Sequence, residues 1–116
     1  MNENTSIATA LEVSLEPSAR NAAVQRCCQA RERSLELSRA KRRDNYDTVT
    51  SANDAYRNAM PDLSGYENIR DFIACITHGM VIGTVHPIEA TKLLYAAQVA
   101  LGALRYEPRN QKQPAA

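Results

Sequence analysis

Residues 17–61 read PSARNAAVQRCCQARERSLELSRAKRRDNYDTVTSANDAYRNAMP, with neither glycine nor proline between the two terminal prolines. The stretch is rich in Ala, Arg, Glu, Leu and Gln, which lose little rotamer freedom in a helix, so it predicts helix over most of its length. A single helix over 18–60 would be about 65 Å long at ~1.5 Å per residue, whereas a compact domain of this size has a radius of gyration near ~13 Å. Either the helix breaks near Arg43-Asp44-Asn45, where three residues of modest to poor propensity meet, or its first half projects as an arm or pairs with another chain. The projecting arm is the favoured expectation, because only Val24, Cys28 and Leu35 share a stripe in that half, and Arg31 and Arg42 interrupt it. In the second half Val49, Ala52, Tyr56 and Ala59 recur at 3-4-3 spacing, which predicts that this part docks on the core.

Outward from this stretch the pattern stays helical. All four glycines, Gly65, Gly79, Gly83 and Gly102, fall after residue 60. Ser64-Gly65-Tyr66-Glu67 has the form of a capping box, in which a serine oxygen and a glutamate carboxylate satisfy free N–H groups at a helix start. The helix that follows, over about 65–82, carries Ile69, Phe72, Ile73, Ile76 and Met80 on one arc, with Gly79 or Gly83 able to supply a left-handed end. Pro87 suits the first turn of a further helix running to Arg105. The expected fold is all-α: a long N-terminal arm helix, open to a break near 43–47, and then an antiparallel helical hairpin. Residues 17–106 form one domain, 1–16 are expected to be mostly disordered, and so is the polar tail over 107–116.

Composition narrows the function classes. At 116 residues the chain holds one domain, which excludes a two-domain cofactor enzyme. No apolar run approaches the ~20 residues needed to cross a bilayer, and Met1-Asn2-Glu3-Asn4-Thr5 lacks the basic start of a secretory signal, so the expected location is cytoplasmic. Cys27 and Cys28 are adjacent and Cys75 is distant in sequence; three cysteines do not make a disulfide framework, and all are expected to be reduced.

The formal charge of +1 hides an uneven distribution. From Arg20 to Arg43, eight bases, among them Arg31, Arg39, Lys41, Arg42 and Arg43, stand against Glu32 and Glu36, a net +6; residues 44–71 carry a net −4. A basic helix can neutralise phosphates and give salt-dependent binding to nucleic acid. Its bases point all round the helix, however, and no aromatic is interleaved for stacking, so a solvated or protein-pairing helix is the first reading. A helix-turn-helix register over Ala74 to Leu94 fails, because its second helix would offer only Lys92 against Glu89 and would contain Pro87.

The last helix is apolar on two sides. Ala90, Leu93, Leu94, Ala97, Leu101 and Leu104 form one stripe; Ile88, Tyr95, Val99 and Tyr106 form another about 140° away. Two readings follow: a central helix packed on its second side by the Val49–Met60 segment, or an oligomer face, attractive in a small domain with few large side chains. Small residues at Gly79, Gly83, Ala96, Ala97, Ala100, Gly102 and Ala103 favour close packing inside the hairpin. The nearest approach to a reactive set is Asp71, Cys75 and His78 at i, i+4, i+7 on a helix flank, and His86 would complete a donor set suited to zinc. Neither has an oxyanion turn or a closely spaced ligand pair to support it, and no phosphate loop or triad spacing occurs, so no catalysis, cofactor or metal is expected. The expected function is a small non-enzymatic helical protein working by helix-mediated contact with itself or another protein. A nucleic-acid accessory factor using helix 20–43 is the alternative.

Overall fold

The computed structural model describes residues 21–106, which contain four helices and no strand: α1 (Ala22–Ala40), α2 (Asn45–Asn58), α3 (Gly65–Val81) and α4 (Pro87–Arg105). The segments 1–16 and 107–116, expected to be disordered, lie outside the described residues.

The long stretch is two helices, and α1 is not a projecting arm. It starts at Asn21, whose side-chain oxygen accepts from the amides of Ala23 (2.8 Å) and Val24 (3.2 Å). It ends in a Schellman turn: Arg42 adopts φ +56°, its N–H donates to the Arg39 carbonyl, and the Arg43 N–H reaches the Ser38 carbonyl at 3.0 Å. Asp44 then caps α2 by accepting from the Asp47 amide at 2.7 Å. The chain thus reverses within Lys41–Asp44, and α1 and α2 pack on each other as an antiparallel hairpin. Both ends of that hairpin are marked by contacts. Arg43 donates to Ser51 Oγ beside the turn, while at the open end Cys27 and Tyr56 both meet Cys75.

What makes α1 fold back is an apolar face built from small side chains, too faint to stand out on a helical wheel. Ala23, Val24 and Cys27 are buried in the common core, and Ser38 is buried further along the hairpin. Alanine and cysteine add little hydrophobicity per residue, yet they let helix axes approach closely. From α2, Ala52 and Tyr56 are buried, whereas Val49 stays about half exposed.

α3 and α4 form a second antiparallel hairpin, with Ile69 and Ile73 near the start of α3 lining the same groove as Leu101 near the end of α4. The expected capping box does not form. Ser64 makes no side-chain cap bond, and its Oγ accepts instead from the Asn68 amide at 3.2 Å. The left-handed end of α3 is Gly83 (φ +77°), with the Thr84 N–H on the Gly79 carbonyl at 2.9 Å. Gly79 matters for space rather than for backbone angle. A Cβ there would stand 2.6 Å from Val85 Cγ2 and 3.1 Å from Tyr56 Cε1, so bare backbone is needed where α3 meets Val85 and α2. Pro87 occupies the first turn of α4, capped by His86, whose Nδ1 accepts from the Ile88 amide at 3.2 Å.

The two hairpins share one core through Tyr56, Ile69, Phe72, Cys75, Ile76, Val85, Ala90 and Ala97. Polar ties pin them together. The Tyr56 hydroxyl donates to the Cys75 carbonyl at 2.6 Å, Asn21 Nδ2 donates to Asp71 at 2.7 Å, and Thr84 donates to Asn53. Arg57 donates to both carboxylate oxygens of Glu89, at 2.9 and 3.0 Å, and also pairs with Asp54.

Candidate interaction surfaces

Helix α4 buries one side only. Ala90 and Ala97 are fully enclosed, with Leu93, Leu94, Leu101 and Leu104 packed against the core. The opposite side stays in solvent: Ile88 is 65% exposed, Tyr95 68%, Val99 55% and Tyr106 89%. The central-helix reading, in which the Val49–Met60 segment covers this second stripe, is therefore corrected. Arg57 of α2 reaches α4 at Glu89, in the first turn of α4, while α1 and, through Tyr56, α2 pack on α3. Gly102 also departs from expectation, since no atom lies within 4 Å of where its Cβ would stand. Together with exposed Lys92, these positions fall within about 80° of arc at ~100° per residue, a straight seam along α4.

The basic residues separate into two groups. Arg31 is half-buried and pairs with Glu32 at 3.4 Å. Arg39, Lys41, Arg42 and Arg43 are all exposed at the α1–α2 turn, and among the described residues none of the four makes an ion pair. Asp44 and Asp47 stand next to them at the start of α2 and offset part of the charge. Tyr46, three residues beyond Arg43, is 76% exposed.

The Asp71, Cys75, His78 and His86 set is not assembled. Cys75 lies on the buried side of α3 rather than on a solvated flank, because α1 packs there and brings the Cys27 sulfur within 3.6 Å of Cys75 Sγ. The distance in sequence between Cys27 and Cys75 thus conceals a close pair of thiols, and no disulfide joins any of the three cysteines. The hydrogen bond with Cys27, and then burial, push the Cys75 thiol well above its ordinary value, which disfavours a thiolate nucleophile. Asp71 is occupied by Asn21 and by Arg70 at 3.5 Å, and the Nδ1 of His86 by the α4 cap. Among the described residues no three His, Cys, Asp or Glu side chains gather closely enough to hold a metal ion.

A groove of about 590 Å³ lies between the start of α3 and the end of α4, lined by Tyr66, Ile69, Ile73 and Leu101, with Glu67 and Arg70 also on its wall. Among the described residues no helix is long and apolar enough to cross a membrane. No family model, curated protein or solved structure matches the chain.

Proposed function

We propose that this is a small non-enzymatic helical protein that acts through helix-mediated protein–protein contact, with the outer face of α4 as the contact surface. One observation carries the reading: Ile88, Tyr95 and Val99 are each more than half exposed on a single stripe, opposite the side of α4 that builds the core. Exposed apolar residues scattered singly are ordinary; aligned on one helix they form a continuous strip whose burial gains roughly 25 cal/mol per Å². The fold already holds its four helices together without that strip, so the strip is available to a neighbour.

Multi-angle light scattering across a dilution series tests this. Association is expected, and replacing Tyr95 and Val99 both by Glu, so that only like charges meet on the strip, is expected to abolish it with the helical circular dichroism unchanged. A monomer at every concentration, or a double variant that associates as the parent does, would overturn the assignment of α4.

A second reading has its own support in the four exposed cations over 39–43. A nucleic-acid accessory role would use Arg39, Lys41, Arg42 and Arg43 at the hairpin turn, with Arg31 set aside by its pairing to Glu32. Its signature is duplex DNA binding that weakens steeply with salt, at a slope of about −0.9 per phosphate contact, and disappears when those four residues become Gln. Binding that survives the fourfold replacement would sink it.

A further inference from the structure

We infer that the occupant of the α4 outer face is α4 of a second copy of this chain, packed antiparallel about a two-fold axis at Ala97. This rests on the assignment of that face above and names its partner and its register.

The seam positions are palindromic in spacing and complementary in size. Ile88, Lys92, Tyr95, Val99, Gly102 and Tyr106 follow one another at intervals of 4, 3, 4, 3 and 4 residues, the alternation that keeps two helices in contact along their length. Ile88 lies as far before Ala97 as Tyr106 lies after it, and the same holds for Lys92 with Gly102 and for Tyr95 with Val99. In an antiparallel pair centred there, each of these residues faces its counterpart on the other copy. Every layer then sets a larger group against a smaller one. Tyr95 meets Val99 and Tyr106 meets Ile88, while the long stem of Lys92 lies over Gly102, where no atom of its own chain stands within 4 Å of a would-be Cβ.

Charge points the same way. Alongside the seam, the two-fold axis sets each flank of α4 against the same flank of the other copy: Thr91 faces Arg105 and Gln98 faces Gln98 on one side, while Glu89 faces Ala103 and Ala96 faces Ala96 on the other, so no like charges meet. A parallel, in-register pair would instead set Lys92 against Lys92 and Gly102 against Gly102. The first is a repulsion and the second a void. The face is complementary to itself in one direction only.

The test combines light scattering on the full chain with a short bis-maleimide crosslinker applied to two single-cysteine additions at exposed positions, the parent chain giving the baseline for its own thiols. Gln98→Cys places the new thiols on either side of the axis, about 3 Å apart along the helices, whereas Lys92→Cys places them about 15 Å apart at ~1.5 Å per residue. A dimer that crosslinks efficiently through Gln98→Cys, and not above baseline through Lys92→Cys, is the expected result. Tyr95→Ala should raise its dissociation constant roughly tenfold or more. A dimer linked through Lys92→Cys instead would overturn the antiparallel register and leave α4 as the contact face. A dimer that neither position crosslinks, or a strict monomer, would overturn both.

Discussion

Gly79 shows how a single missing Cβ sets a helix separation. An added methyl at 2.6 Å from Val85 Cγ2 cannot be accommodated by rotating a long side chain, because Val85 is itself buried and Tyr56 closes the other side at 3.1 Å. Gly79→Ala is expected to lower stability by about 1–3 kcal/mol in urea unfolding, despite the better helix propensity of alanine. Ser38 presents the opposite case. Its hydroxyl is buried without a hydrogen-bond partner, so Ser38→Ala should raise stability by about 1 kcal/mol by removing an unsatisfied polar atom. Cys75 adds a pH dependence. Its thiol is held protonated in the folded chain well above the ordinary value of 9.0, so the unfolded chain binds fewer protons once pH exceeds about 9. Stability contributed by the neutral thiol is complete below that point and falls as pH rises beyond it. The same hydrogen bond lowers the Cys27 thiol, so the comparison is made in a Cys27→Ala background, where burial still raises Cys75. Chemical unfolding at neutral and high pH should show a steeper loss with Cys75 present than with Cys75→Ala, the tyrosines titrating alike in both.

At the scale of elements, the two hairpins end their first helices in the same way with different residues. α3 uses Gly83 in the left-handed conformation; α1 uses Arg42, a residue with a Cβ, at φ +56°. A left-handed non-glycine residue costs on the order of 1 kcal/mol, and the exposed Arg42 side chain makes no ion pair among the described residues that would offset it. Arg42→Gly is therefore expected to raise the midpoint of thermal unfolding, by an amount worth about 0.5–1 kcal/mol, and Gly83→Ala to lower it by a similar amount. The break itself was legible in the sequence as one of two alternatives, from the poor helix propensity of Asp44 and Asn45. The choice between them was not. It turned on Ala23, Val24 and Cys27, whose small side chains give a weak hydrophobic signal and a close-packed interface. The Ser64 to Glu67 pattern is the converse, a strong local signal unused because Ser64 bonds Asn68.

For the molecule as a whole, the hairpins meet around Tyr56, Cys75 and Val85, so neither encloses a core without the other. The Tyr56 hydroxyl to Cys75 carbonyl bond at 2.6 Å spans the junction. Tyr56→Phe should cost about 1–1.5 kcal/mol while leaving a single unfolding transition, with circular dichroism and tyrosine emission coincident. Two separated transitions would show that the hairpins unfold independently. The distribution of charge is likewise a property of the assembled molecule: α1 and α2 lie side by side, so the basic and acidic stretches of the sequence are neighbours, and among the described residues four cations without an ion pair, Arg39, Lys41, Arg42 and Arg43, stand together at the turn.

Local sequence is enough to specify the helical class, the two glycines at the end of α3, the proline start of α4 and the presence of two apolar stripes on that helix, because periodicity and backbone preference act over a few residues. Long-range packing is what folds α1 back, what sets Cys75 against Cys27, and what selects which of the two α4 stripes is covered. Those outcomes depend on which surfaces meet across some fifty residues of chain, and the free energy of that meeting comes from packing fit and excluded water, neither of which any short window of sequence contains.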